Sequence, residues 1–256
     1  MLRAFSTAAT GMTAQQLVVD TIANNIANMN TSGSKRSQID LQDLMYVKMQ
    51  EPDEKSPSGF EIGSGVRPAS TLKVFTQGEM ENTGRNLDLA IQGDGFYQIT
   101  GPAGKKYYTR DGTFRIDSKG SVVTSSGYAL DPAITIPADA RSISISQDGV
   151  VTAFAGSSST PTTVGTVTLV RFSNPSGLTS EGGNLLSETP ASGTATTGTA
   201  GQNGYGSIQQ GFLERSNVQM VTELVNLINA QRAYETNSRA IRAGDEMLST
   251  TNRLIS

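Results

Sequence analysis

The chain has 256 residues, a net charge of −3 and no cysteine or histidine. Without cysteine it can form no disulfide and offers no thiolate, and without histidine it lacks the commonest general base and metal ligand. A net charge so close to zero indicates no basic surface for nucleic acid. We therefore expect no catalytic, cofactor-binding or metal-binding residues and no nucleic-acid partner.

No stretch of the sequence predicts insertion into a membrane. The chain lacks the run of about 18 apolar residues that a transmembrane helix needs. Its start, MLRAFSTAATGM, carries small and hydroxyl side chains where a secretory signal has an apolar core. We expect neither membrane insertion nor a cleavable signal peptide.

An amphipathic helix is predicted over residues 2 to about 30. Its apolar residues recur at seven-residue intervals, which is typical of the seam of a coiled coil. The few charges leave two interpretations open: a core helix of an ordinary domain, or a helix surrounded by other chains. The predicted seam consists of Phe5, Met12, Val19, Ile22 and Ile26.

A second long helix is predicted from Asn217 to the C-terminus. It has an apolar seam of its own, then a row of small or polar residues three positions further on, and a charged stripe opposite the seam. The seam is Met220, Leu227, Tyr234, Ile241, Leu248 and Ile255. The small or polar row is Ala230, Asn237, Gly244 and Thr251, and the charged stripe is Arg232, Arg239, Glu246 and Arg253.

The region between the helices reads as extended and then as β-structure. Residues 34–84 are predicted to form an extended linker or β stretch, and residues 85–211 a central β domain. Alternating apolar residues around Gly93-Asp94-Gly95, Asp111-Gly112 and Gly120 predict hairpins. We predict a mixed α and β fold, in which residues 1–33 and 212–256 form a coiled-coil-like helical domain beside the mostly-β domain.

Two features of the sequence are compatible with a different function. Glycine pairs such as Gly93 and Gly95 could belong to a phosphate-binding loop, but the pattern of such a loop before a helix is incomplete here. Glu79, Glu81 and Asp88 form an acidic cluster that could serve hydrolysis in a cleft. The alternative function is therefore a wall-active enzyme or adhesin of the cell envelope that uses the β domain.

Three blocks of sequence are more specific. They are TGMTAQQLVVDTIANNIANMNTSGSKR, TGRNLDLAIQGDGFYQI with YYTRDGTFRIDSKGSVVTSSGYAL, and GFLERSNVQMVTELVNLINAQRAYETNSRAI. Together they resemble the flagellar rod and hook axial protein family. Two further runs, GSGVRPAS and PAITIPADARSISISQDGVV, resemble sequences of the distal rod type within this family, and the chain length is similar to that type as well. Ser34 stands where the family usually has an aromatic residue.

The resemblance implies a structural, non-enzymatic protein of the bacterial flagellum. Distal rod subunits self-assemble into a hollow, rigid helical shaft in the basal body, which crosses the periplasm, transmits torque to the hook and encloses the export channel. The implied partners are further copies of the chain, the proximal rod proteins, the hook protein, the P and L rings, and the flagellar type III export apparatus.

The resemblance also implies roles for individual residues. Three asparagines of the first helix would make polar contacts between subunits, because amides can be buried without desolvating a charge. They are Asn24, Asn25 and Asn28. The charged stripe of the second helix would line the channel. The stretch from Tyr46 to Gly65 would lie along neighbouring subunits and keep the shaft straight.

Overall fold

The computed structural model describes residues 2–50, 60–155 and 161–255. These residues form two α-helices, α1 (Leu2–Ala27) and α2 (Met220–Ile255). The strands are β1 (Ser37–Asp43), β2 (Val47–Gln50), β3 (Phe60–Ile62), β4 (Val66–Lys73), β5 (Met80–Asn82), β6 (Leu89–Gln92), β7 (Phe96–Thr100), β8 (Lys106–Thr109), β9 (Phe114–Ile116), β10 (Val122–Thr124), β11 (Ala129–Asp131), β12 (Ala140–Ile145), β13 (Val150–Ala155), β14 (Thr162–Thr166), β15 (Thr168–Arg171), β16 (Thr179–Gly182), β17 (Leu185–Ser187), β18 (Thr196–Thr199), β19 (Ser207–Gln210) and β20 (Phe212–Glu214).

The chain divides into two compact units. Unit 1 contains Met1–Ala27, Ser37–Lys73 and Gln219–Ser256, and unit 2 contains Asn28–Arg36 and Val74–Val218. Each unit is therefore built from segments that are far apart in the sequence. The division differs from the predicted one, in which residues 34–84 formed a separate linker stretch.

The prediction that the two helices form a coiled-coil-like domain of their own is wrong. Unit 1 also contains two antiparallel strand pairs, β1 with β4 and β2 with β3, and α1 packs against β1 and β4 as well as α2. The physical reason is the size of the buried side chains in α1, which are Ala8, Ala14, Ile22 and Asn25. Only Ile22 among them is a large apolar residue, so α1 buries little apolar surface, and the strands supply cover that a two-helix seam would not.

The predicted bracing stretch lies in this unit. Its flanks pair as β2 and β3, with Val47 opposite Ile62. Residues 51–59 lie outside the part of the chain that the structure describes. The bracing role of Tyr46–Gly65 stays a prediction.

Unit 2 is organised by a nine-stranded antiparallel sheet. Its main path runs β16-β17-β8-β7-β11-β10-β9, and β15 pairs with both β7 and β18. Successive residues of a strand point to opposite faces, and in β7 and β15 both faces are buried. One face packs into a larger apolar cluster through Tyr97, Ile99 and Leu169, and the other into a smaller cluster through Phe96 and Val170.

One of the three predicted hairpins formed. Gly120, with φ of +84°, lies in the turn between β9 and β10, which pair with each other. In contrast, β6 pairs with β19 while β7 pairs with β8, β11 and β15, so Gly93–Gly95 connects two different sheets. Asp111-Gly112 likewise joins β8 to β9, which pair with other strands. Short-range turn signals gave the position of each turn, and distant segments decided the pairing.

Candidate assembly surfaces

The contact between α1 and α2 runs along small residues. A Cβ atom on Gly244 would lie 2.8 Å from two ring carbons of Phe5, and a Cβ atom on Gly11 would lie 2.8 Å from the amide nitrogen of Asn237. Ala230 is buried in the same row. The glycines therefore form notches that receive larger side chains of the other helix, and this interlocking specifies how the two helices align.

The predicted seam residues border this small-residue row. Phe5, Met12, Val19 and Ile26 are half-buried, and Ile22 is buried. On α2, Leu227, Ile241 and Leu248 are half-buried, whereas Met220 and Tyr234 are exposed. The side chain of Ile255 lies outside the described part of the structure. In the row that the sequence marked as small or polar, Ala230 and Gly244 are buried, Asn237 is half-buried and Thr251 is exposed.

Asn25 is held inside unit 1. Its amide oxygen accepts a hydrogen bond from the Ser37 backbone N–H (2.9 Å), and its amide nitrogen donates to the Ser37 carbonyl oxygen (2.8 Å). The same nitrogen lies 3.5 Å from a carboxylate oxygen of Glu223 in the first turn of α2. Asn25 is 3% exposed and Glu223 1% exposed. The network joins α1 and the nearby β1 to α2, which is distant from both in sequence.

This placement gives Asn25 partners within its own chain, and its predicted role as a contact between subunits stays a prediction. A single side chain satisfies both backbone groups of Ser37, so the amide fixes the start of β1 against α1. Of the other two asparagines, Asn24 is exposed and Asn28 is half-buried. Nothing in the local sequence pairs Asn25 with Glu223, since 198 residues separate them.

The outer face of α2 changes character along its length. Val221, Val225 and Ile228 share one helical face and are 74%, 51% and 48% exposed. Further along, the charged residues follow Val225 at seven-residue intervals and continue the same stripe. These residues are Arg232, Arg239, Glu246 and Arg253, and all four are exposed. One helix face is therefore apolar in its first turns and charged in the rest.

A buried charge cluster lies in unit 2, where Lys35, Arg110 and Glu214 meet. The Lys35 Nζ lies 2.6 Å from Glu214 Oε1, and the Arg110 Nε lies 2.8 Å from Glu214 Oε2. Burial would raise the pKa of Glu214, but the attraction of Arg110 and Lys35 outweighs it and lowers that pKa. Burial lowers the pKa of Lys35, and Glu214 offsets this only in part. Two cations thus share one carboxylate.

The acidic cluster proposed for hydrolysis is occupied by structural contacts. Asp88 is buried and receives hydrogen bonds from Arg85 Nε (2.8 Å), Arg85 Nη2 (2.6 Å) and Thr83 Oγ1 (2.6 Å). Glu81 lies 3.7 Å from Arg215. Within the described ranges, no group of three or more acidic side chains is arranged to hold a metal ion.

Among the described residues, no helix is long and apolar enough to cross a membrane.

Curated relatives match this chain along nearly its whole length. A flagellar basal-body rod protein, FlgG, of Borreliella burgdorferi is 45% identical, with 99% of both chains covered. The protein of the same name from Caulobacter vibrioides is 44% identical, again over 99% of both chains. That of Bacillus subtilis is 36% identical over 97% of both. The chain belongs to the flagellar basal-body rod protein family.

Family models match three parts of this rod-family chain. The flagella basal body rod protein model matches residues 5–35, which include α1 and Lys35. The model of the D1 domain of flagellar hook protein FlgE/F/G matches residues 90–153 in unit 2. The C-terminal model of flagellar basal body rod FlgEFG proteins matches residues 209–254, which contain Glu214 and most of α2. The three matches confirm the resemblance that the sequence blocks indicated.

Proposed function

We propose that the chain is a structural subunit of the flagellar distal rod. Copies of it assemble through their helices into a hollow, rigid shaft that transmits torque to the hook and encloses the export channel. The observation that carries this proposal is the 44–45% identity with rod proteins over 99% of the chain. Such relatives are named as basal-body rod proteins, so the subunit belongs to the basal body.

The outer face of α2 supports assembly with further copies of the chain. Val221, Val225 and Ile228 leave an apolar stripe uncovered within unit 1. An exposed contiguous apolar stripe is costly in water and is typical of a protein–protein interface. In a homopolymer every copy presents the same stripe, so the occupant is another subunit. At the ends of the rod, the neighbours would be proximal rod proteins and the hook protein, with the P and L rings around it.

A photo-crosslinking residue at Val221 tests this contact directly. With p-benzoylphenylalanine at that position, irradiated flagellated cells are expected to yield dimers and larger adducts of this chain. The same variant in cells without the flagellar export apparatus should give monomer alone, because no rod forms there. Adducts to a different envelope protein, or none in flagellated cells, would contradict assembly through this face and would favour the envelope enzyme or adhesin.

The charged part of the outer face fits the lining of the export channel. Arg232 and Arg239 are exposed, and Arg239 lies 3.7 Å from Glu235 one turn earlier. Charged side chains in a water-filled lumen need no desolvation. They would keep the wall hydrated, so that unfolded apolar segments pass without adhering.

The double variant Arg232→Leu and Arg239→Leu is expected to build rods of normal length and to export hook and filament subunits more slowly. Surface pairs at i,i+4 stabilise a helix only slightly, so their loss should leave assembly intact. The measurement compares rod length in electron micrographs with the amount of secreted filament protein. Arg242→Leu, on the same helix but outside the stripe, is the control. Unchanged secretion, or a failure to form rods, would assign the stripe to contacts between subunits.

A further inference from the structure

The chain passes between the two units after Ala27, Arg36, Lys73 and Val218. In unit 2 these crossings belong to three short segments, which are residues 28–36, residues 74–78 and residues 214–218. We call them the crossover segments. Any force carried along the backbone from one unit to the other enters unit 2 through them.

Lys35 and Glu214 tie all three crossover segments together. The Lys35 Nζ donates hydrogen bonds to Glu214 Oε1 (2.6 Å) and to the carbonyl oxygen of Thr76 (2.7 Å). The backbone N–H of Gly78 donates to the same Glu214 oxygen (2.9 Å). The backbone N–H of Gly33 donates to the Glu214 carbonyl oxygen (2.8 Å). One lysine and one carboxylate therefore hold the three segments at one point.

Asn217 ties the same segments a second time. Its side-chain oxygen accepts a hydrogen bond from the Arg36 backbone N–H (2.8 Å). Its amide nitrogen donates to the carbonyl oxygen of Val74 (2.8 Å) and to Thr76 Oγ1 (2.8 Å). The side chain thus belongs to one segment and bonds to the other two.

Glu214 has a cation besides Lys35. The Arg110 Nε lies 2.8 Å from Glu214 Oε2, and its Nη atoms donate to the carbonyl oxygens of Gly93 and Gly95. Arg110 lies outside the crossover segments and is enough to neutralise the carboxylate. A second buried cation adds a desolvation cost, which is consistent with the lowered pKa of Lys35. Charge neutralisation therefore does not explain Lys35, whereas the linkage of the segments does.

We propose that Lys35 is a positioning residue that locks the three crossover segments together. Torque transmitted along the backbone into unit 2 would then act on segments that are held rigidly to one another. This mechanical role rests on the proposed function in the rod. The lock itself does not, because all its contacts lie within unit 2 of a single chain.

The variant Lys35→Met tests the lock without disrupting the fold of unit 2. The variant keeps the Arg110–Glu214 pair and leaves that pair neutral, so unit 2 should still fold. Native-state hydrogen exchange of the free full-length chain is expected to accelerate about tenfold at residues 33–36 and 74–78, the loss expected for hydrogen bonds to a charged group. Exchange in β7 and β15 should be unchanged. Lys105→Met is the control, because it removes an exposed pair with Glu181.

Asn217→Ala provides a test that leaves the charges alone. It should accelerate exchange in the same segments, and the double variant should show more than the sum of the two effects, since both residues hold the same backbone. Unchanged exchange in the crossover segments would overturn the lock. Equal acceleration in β7 would do so too, because it would indicate a global loss of stability.

The mechanical role is tested in cells. Lys35→Met cells are expected to build rods and hooks but to lose more swimming speed than the wild type as the viscosity of the medium rises. Equal loss in both strains would overturn the mechanical role while leaving the lock in place. Failure of the proposed rod function is recognised separately, since the wild-type chain would then be absent from isolated basal bodies.

Discussion

Val225→Asp combined with Ile228→Asp is expected to abolish rod assembly while the free chain keeps its fold. Both side chains are about half exposed in the single chain, and surface substitutions there change stability by only about 0.5 kcal/mol or less. In the assembled shaft each carboxylate would be buried without a partner, at a cost of several kcal/mol per site. The measurements are the thermal unfolding of the purified chain and electron microscopy of basal bodies.

The control for this variant uses the charged part of the same face. Arg232→Asp with Arg239→Asp introduces two carboxylates in the stripe that should stay in water, so rods should still form. If the Val225 and Ile228 variant built normal rods, the apolar face would not be an interface between subunits. If its free chain failed to fold, the residues would serve unit 1 itself.

Gly244→Leu is expected to separate α1 from α2 and to prevent assembly. The first carbon of any side chain at this buried position would lie 2.8 Å from the Phe5 ring. Overpacking of this kind costs about 1–3 kcal/mol, a large part of the stability of a unit whose buried helix residues are small. The helical circular dichroism signal should melt at a lower temperature than in the wild type, and motility in soft agar should be lost.

A second substitution makes the Gly244 test specific. Phe5→Ala removes the ring that the new leucine would meet, so the double variant should recover part of the helical stability that Gly244→Leu loses. Residues in contact typically couple by about 0.5–3 kcal/mol in such a cycle. Ala243→Leu adds the same side chain at the preceding position, which is exposed, and should have little effect. Additive effects of Phe5→Ala and Gly244→Leu would show that the two residues do not pack together.

The sequence predicted the family and the rod function, and the full-length relatives confirm both. It also predicted two terminal helices and the charged stripe, because apolar and charged periodicity is a local property of a helix. What periodicity could not decide was which row of α2 turns inward. Ala230 and Gly244 are buried and Tyr234 is exposed, because small residues let two backbones approach closely and a tyrosine does not.

By itself, the sequence determined the elements of this protein: where the helices start, where turns occur, and which positions can be apolar. Only the tertiary structure decided their partners. Asn25 hydrogen-bonds to Ser37 and Glu223, and Lys35 pairs with Glu214, which lies 179 positions further along the chain. A buried polar or charged group needs a partner of matching geometry. That partner can come from any distance along the chain, so local patterns contain no signal for it.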